Sequence, residues 1–338
     1  MKSVQVTGPD RNEWVDVETP AVGANDVLLA IRACGICGSD VFYSHVGGIP
    51  PRQGATPLGH EPAAEVVEIG ADVTGIAVGD HVVIDTMRFT DGLLGSGGAQ
   101  GALTPFVVVK DFEPGVQLRV IPNDIPWQVA ALNEPMAVAH HAVNRSGAKA
   151  GDRAVVFGAG PIGLGALLSL KSKGVAHVTL VDIIPGRLEK ALAIGADAVI
   201  DSRNEDVVAR LIELQGGVPD ALGHGTRAAT DVYIDAAGVA SVVETVFAAA
   251  KNRAVLTIPA VHKKPVEVDF GTLLQTEIDI RMSMGYPTEI FEVTDAIIAS
   301  PDKYAQIVSD VLPFDRALEA LELAKTPGAA DKVVVTFE

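Results

Sequence analysis

Residues 154–163 read Ala-Val-Val-Phe-Gly-Ala-Gly-Pro-Ile-Gly. An apolar, valine-rich run leads directly into G-x-G-x-x-G, the pattern of a buried strand turning into a helix around a dinucleotide. Each glycine has its own task. Gly158 permits the tight turn, Gly160 lets the backbone approach a pyrophosphate, and Gly163 lets the helix pack closely on the strand. The helix opening at Pro161 offers unpaired N–H groups and a partial positive charge to the phosphates. Ile162, inside the motif, reads either as ordinary core packing or as a contact for a bound nicotinamide. A second strand, 178–181, ends at Asp182, 19 residues past Gly163. A carboxylate there accepts hydrogen bonds from an adenosine ribose and repels a 2′-phosphate, so the pattern favours NAD over NADP. Arg187, close by, is the group that would accommodate such a phosphate.

Outward from this motif, strand-like and helix-like segments alternate. Strands are expected at 153–158, 177–182, 198–201, 230–235 and 253–259, with helices at 161–173, 187–194, 205–214 and 241–249. Such alternation implies right-handed βαβ units and a doubly wound parallel sheet, a Rossmann domain over 135–284. Residues 1–134 have a different texture. Short apolar runs at 27–31, 63–69, 81–84 and 106–109 are separated by turn signals such as Gly79-Asp80 and Glu113-Pro114-Gly115, which reads as a β-rich domain. The end of the chain, 285–338, carries helical stretches at 288–298 and 316–324 and a strand at 332–337. The fold class is therefore α/β, with a second, β-rich domain.

The chain has 338 residues, a length that suits about two domains. Its net charge of −17 repels phosphate backbones and anionic lipid heads, which excludes a general nucleic-acid or membrane-surface binder. Mean hydropathy is +0.29, so a membrane span has to be considered. The longest uncharged runs, 92–109 and 154–170, are broken by glycines, whereas a spanning helix needs about 20 apolar residues. The opening Met-Lys-Ser-Val-Gln-Val-Thr-Gly-Pro-Asp has no apolar core of a secretory signal. Two cysteines cannot build a disulfide framework, and a reducing cytoplasm is the expected location.

The β-rich part holds a second constellation: Cys37-Gly38-Ser39-Asp40, then Gly59-His60-Glu61, then Asn133-Glu134-Pro135. Zinc takes thiolate, imidazole and carboxylate ligands, and a catalytic zinc keeps one position open. Cys34-x-x-Cys37 alone also reads as a redox pair or as two inert buried thiols.

In order and spacing, these motifs together with Gly158-x-Gly160-x-x-Gly163 resemble the zinc-dependent medium-chain alcohol dehydrogenases. The resemblance is to the sorbitol, butanediol and threonine dehydrogenase branch, which has Glu-Pro where liver-type enzymes have a third cysteine ligand. It implies a GroES-like catalytic domain built from 1–134 and completed by 285–338, with the Rossmann domain inserted and the active site in the cleft. Cys37 and His60 would be zinc ligands, and Glu61 and Glu134 alternative carboxylate ligands. Asp40 would orient His60, and Cys34 matches no ligand position. Ser39 would take the alcohol proton while a hydride passes to the nicotinamide of NAD. Phe42, Thr86, Met87 and Leu103 would line a pocket for a secondary alcohol, diol or polyol. Two departures stand out. The cysteine lobe of a structural zinc is missing from 85–101, which implies one zinc per subunit. Phe42 replaces the histidine that ends the proton relay in many relatives, and His45 is the available substitute. The resemblance further implies a homodimer or homotetramer built partly on an edge strand of the Rossmann sheet near 278–282. The competing readings are a zinc-free enone or quinone reductase on the same architecture, which would lack the ligand set, and a non-catalytic NAD-binding protein.

Overall fold

In the computed structural model, which describes residues 1–49, 54–326 and 328–338, the chain divides into two units. One comprises Met1–Glu134 and Ile290–Glu338, the other Pro135–Glu289.

The first unit opens with the hairpin of β1 (Lys2–Gly8) and β2 (Arg11–Asp16). Then come β3 (Val27–Gly35), helix α1 (Gly38–Val46), β4 (Thr56–Pro57), β5 (Glu61–Ile69) and β6 (His81–Ile84). β7 (Phe106–Val109), β8 (Leu118–Ile121), the short helix α2 (Trp127–Ala130) and the start of α3 (Asn133–Ser146) follow. β3 pairs antiparallel with both β5 and β7 and is buried along almost its whole length, which is why it reads as an unbroken apolar run. It extends past the expected 27–31 to Gly35, so Cys34 lies inside the sheet. Burial pushes the Cys34 thiol well up, as fits an inert side chain.

The second unit is the doubly wound sheet. Its elements are β9 (Arg153–Phe157), α4 (Pro161–Ser172), β10 (His177–Asp182), α5 (Pro185–Ile194), β11 (Ala198–Asp201) and α6 (Val207–Gln215). A small hairpin, β12 (Gly217–Pro219) and β13 (Thr226–Ala228), precedes β14 (Val232–Asp235), α7 (Ala240–Ala249), β15 (Val255–Ile258) and β16 (Asp279–Met282). The six parallel strands run in the order β11-β10-β9-β14-β15-β16. Strand order reverses between β9 and β14, where such sheets open a crevice at their carboxyl ends. The hairpin was not expected, because Gly217 and Pro219 carry no strand signal; its strands pair with each other, and Ala228 is buried in the core of this unit.

The C-terminal return adds β17 (Asp310–Pro313) and β18 (Val333–Thr336) to the first unit. Its sheet then runs β17-β18-β3-β5-β6-β8, with β7 also on β3. Residues 317–325 form a helix whose Ala317, Ala320 and Leu321 enter the core beneath this sheet.

The return begins at Ile290, five residues later than the expected 285. Glu289 explains the difference. Its Oε1 accepts from Asn144 Nδ2 at 3.2 Å and lies 2.8 Å from His141 Nδ1, and its Oε2 accepts from Thr288 N. The next residue is held by the other unit: Asn133 Nδ2 donates to Ile290 O at 2.7 Å, and Thr294 Oγ1 donates to Asn133 Oδ1.

Two outcomes follow from this packing. Burial works against the Glu289 charge, but hydrogen bonds from His141, Thr288 N–H and Asn144 hold its carboxyl down at about 2, below the usual 4.5. A depressed carboxylate stabilises the fold fully above its unfolded pKa and loses that contribution as pH falls through its folded pKa. The stability gap between wild type and Glu289→Gln, measured by urea unfolding, should be about 1–2 kcal/mol above pH 5 after allowing for solvent screening, and should shrink toward pH 2. A gap independent of pH would contradict this. At Gly163 a Cβ would fall 1.7 Å from Gly158 O. Gly163→Ala must lift α4 off β9, and a loss of about 1–3 kcal/mol in thermal unfolding is expected.

Candidate functional site

The first cluster forms where β3, α1 and β5 meet. Cys37 precedes the first turn of α1, and His60 directly precedes β5. The two segments are joined by Asp40, which is fully buried. Its Oδ2 accepts from Cys37 N at 2.9 Å and its Oδ1 from Gly59 N at 3.3 Å. The same Oδ1 lies 3.4 Å from His60 Nδ1, near enough for charge pairing. Gly59 has φ +91°, and a Cβ there would sit 2.6 Å from Leu103 N, so only glycine lets His60 approach in this way.

Cys37 Sγ, a ring nitrogen of His60 and a carboxylate oxygen of Glu61 all lie within 4.8 Å of one another. Nδ1 faces Asp40, and Nε2 lies 3.1 Å from Ser39 Oγ. Glu134, in the first turn of α3, is buried and held in place by the Asn133 anchor. Lys332, 3% exposed, donates to Ile36 O at 3.0 Å and to Glu61 Oε2.

The electrostatics suit a cation. Four acidic side chains, Cys37, Asp40, Glu61 and Glu134, face the basic groups His60 and Lys332. Burial pushes Glu134 up to about 8; His60 eases this and the Glu61 charge adds to it. Burial opposes the His60 charge as well, but Asp40 and Cys37 hold its pKa well above the ordinary value. Asp40 is lowered despite burial by His60 and by the Cys37 and Gly59 N–H groups. The cluster therefore retains protons where a divalent ion would supply the balancing charge. A thiol, an imidazole and carboxylates are a borderline-soft donor set that fits zinc.

The second cluster lies at the carboxyl ends of the parallel strands. Gly158 N donates to Val181 O at 2.7 Å, tying the glycine turn to β10. Asp182 Oδ2 accepts from Ala159 N at 2.6 Å, and its Oδ1 accepts from Ile183 N and Ile184 N at 2.6 and 2.9 Å. This carboxylate organises the loop. At Gly160, just before α4, a Cβ would meet nothing within 4 Å, while Pro161 and Ile162 are half-buried at the helix start. Arg187 is half-buried in α5. A cavity of about 310 Å³ opens nearby, lined by Phe157, Ser202, Glu205, Val207, Ser241 and Thr245. Asp235, at the end of β14, is buried and accepts from Ala237 N and Gly238 N, with His262 Nε2 2.8 Å from its Oδ2. No sequence motif pointed to Asp235, His262 or Lys332.

Not every expected residue joins these clusters. His45 sits at the far end of α1, about 9 Å along the axis from Ser39, where it is exposed and paired with Asp10 at 3.3 Å. Leu103 is fully buried in the core under Gly59. Phe42, one turn after Ser39, is 48% exposed; Met87 is exposed and Thr86 is buried beside it.

Comparisons with known proteins agree with this geometry. The alcohol dehydrogenase GroES-like domain matches residues 23–113, and the zinc-binding dehydrogenase family matches 161–299. The chain is 32% identical to the (R,R)-butanediol dehydrogenase of Bacillus subtilis (strain 168), over 80% of each chain. It is 30% identical to the sorbitol dehydrogenase of Gallus gallus, over 90% of this chain and 88% of that one. Among solved structures, a zinc-binding dehydrogenase of Sinorhizobium meliloti 1021 bound to NADP superposes with a TM-score of 0.84, at 27% identity, over 99% of this chain and 98% of that one. No helix among the described residues is long and apolar enough to cross a membrane. The chain belongs to the zinc-dependent medium-chain alcohol dehydrogenase family and is an oxidoreductase acting on CH–OH groups.

Proposed function

We propose that the chain interconverts a secondary alcohol, vicinal diol or polyol and its ketone, with NAD(H) as the hydride partner and one zinc ion per chain. The observation that carries this reading is the convergence of Cys37, His60 and Glu61 within 4.8 Å, beside the buried Glu134. Cys37 and His60 would hold the ion, with Glu61 or Glu134 as third ligand. When bound, zinc supplies Lewis acidity toward the substrate oxygen.

The chain's own groups do the rest. Asp40 fixes the His60 tautomer and ring direction, as outer carboxylates do at histidine metal sites. Ser39 relays the alcohol proton: its hydroxyl accepts from the substrate while it donates its own proton onward toward solvent. Phe42, Thr86 and Met87 are the candidates for contact with the carbon skeleton. A single zinc is supported by the cysteine count: Cys34 is buried in β3, and 85–101 contains no cysteine.

Preference for NAD is supported by Asp182. Three of its roughly four acceptor positions are taken by backbone N–H groups, which leaves a fixed negative charge and a lone pair for a ribose hydroxyl. Gly160 leaves open space at the start of α4 for the pyrophosphate, and the 310 Å³ cavity suits the adenine. Ile162 would meet the nicotinamide, and Arg187, half-buried in α5, is the neighbouring group that would accommodate a 2′-phosphate. A thiolate ligand at Cys37 suits a reducing cytoplasm. β16 ends its sheet with Ile280 and Met282 exposed, which supports pairing with a second copy in a homodimer or homotetramer.

The test is direct. Dialysed protein should carry one zinc per chain and reduce NAD+ in the presence of 2,3-butanediol or sorbitol. Ser39→Ala should keep its zinc and lose roughly 10²- to 10³-fold in kcat. Protein that takes up no zinc and oxidises no alcohol would contradict the reading, and full activity in Ser39→Ala would remove Ser39 from it.

A further inference from the structure

His262 follows β15 and belongs to no motif, yet its side chain is only 17% exposed. Its Nε2 lies 2.8 Å from Oδ2 of Asp235, which is wholly buried at the end of β14. A carboxylate only accepts, so the imidazole donates to it through Nε2. The other oxygen, Oδ1, accepts from Ala237 N at 3.0 Å and from Gly238 N at 2.8 Å. Asp235 therefore holds the loop after its own strand with one oxygen and the loop after the neighbouring strand with the other. The two loops also touch directly. Ala260 N donates to Asp235 O at 3.3 Å, and Gly238 has φ +70°, where a Cβ would sit 2.9 Å from Val261 O.

The 236–238 loop is also the floor of the glycine turn. Asp235 lies opposite Phe157 where the strand order reverses, and Ala236 N donates to Phe157 O at 2.9 Å. A Cβ at Gly158 would fall 3.1 Å from the Ala236 carbonyl carbon and oxygen and from Ala237 N. The turn that has to meet a pyrophosphate thus rests on a peptide whose N–H is held by Asp235. We propose that His262 is a positioning residue for the dinucleotide: by donating to Asp235 it fastens the loop after β15 to the 236–238 loop and so sets the floor beneath Gly158. The inference rests on the cofactor reading given above. His262 acts through Asp235 and needs no contact with the cofactor itself. Removing it takes the donor from a buried carboxylate oxygen and frees two loops that binding must then order, which costs affinity. The coupling is reciprocal, so a bound dinucleotide tightens the same latch.

The experiment measures NADH binding by the fluorescence of the bound nicotinamide, alongside steady-state kinetics of the zinc-loaded protein with 2,3-butanediol. His262→Leu keeps the bulk and removes the donor. Its Kd for NADH and its KM for NAD+ should rise roughly tenfold, whereas its KM for the diol and its zinc content should not move. His262→Gln carries an amide that donates from nearly the position of Nε2, and it should bring both constants back toward wild type. A histidine that only packs predicts no such rescue, because leucine fills the space as well as glutamine does. Wild-type NADH affinity in folded His262→Leu overturns the proposal, and so does a Gln variant as weak as the Leu variant. If the Leu variant does not fold, the wild type carries the test: NADH should slow hydrogen exchange at the Ala237 and Gly238 amides, and unchanged exchange there overturns the proposal. Wild-type protein that binds neither NADH nor NADPH contradicts the cofactor reading itself, so the two failures are distinguishable.

Discussion

The buried carboxylate of Asp40 is the interaction on which the metal cluster depends. Cys37 and His60 come from separate segments, one leading into a helix and one into a strand. Asp40 accepts from Cys37 N and Gly59 N and faces His60 Nδ1, so a single charged side chain sets both residues in register. Its burial would be costly without these partners, and with them the arrangement is rigid. The left-handed backbone at Gly59 and the close approach of Leu103 N complete the restraint.

The nucleotide unit uses the same device twice. Asp182 ties Ala159 N to the turn that opens α5, and Asp235 ties Ala237 N, Gly238 N and His262 together at the end of β14. All three aspartates are at most 8% exposed, and each stands where a strand or helix ends beside open loops. An ionised carboxylate is acceptor-only, and bonds to it are among the stronger hydrogen bonds in proteins. A chain with net charge −17 thus places part of its excess negative charge inside, as an organiser of loops. Lys332 is the counterpart: a buried cation that answers Glu61 across the bare face of Gly35.

The architecture was legible wherever local pattern carries the signal. The helix expected over 161–173 is α4, Pro161–Ser172, because Gly160-Pro161 marks its start and an apolar run fills its length. Alternating strands and helices revealed the parallel sheet, and Cys37, His60 and Glu61 converge as their motifs implied. What stayed hidden depends on partners far away in sequence. Lys332 and Glu61 are 271 residues apart and meet only through the register of three strands. The sole hint was a lysine opening a run of valines. The pairing of His45 with Asp10 was hidden as well, because it joins α1 to the turn between β1 and β2. The burial of Leu103 was hidden too, because an apolar residue near a pocket and one beneath it look alike in sequence. The return at Ile290 was placed five residues early because Glu289 owes its position to His141 and Asn144.

The central claim is that Cys37 and His60, aligned by Asp40, bind one catalytic metal ion. Cobalt(II) substitution tests it most directly, because cobalt reports thiolate ligation by an intense charge-transfer absorption. Titrating metal-free protein should give a thiolate band that saturates at one cobalt per chain in wild type and is absent from Cys37→Ser. A band that saturates at two, or one that persists in Cys37→Ser, would contradict the account.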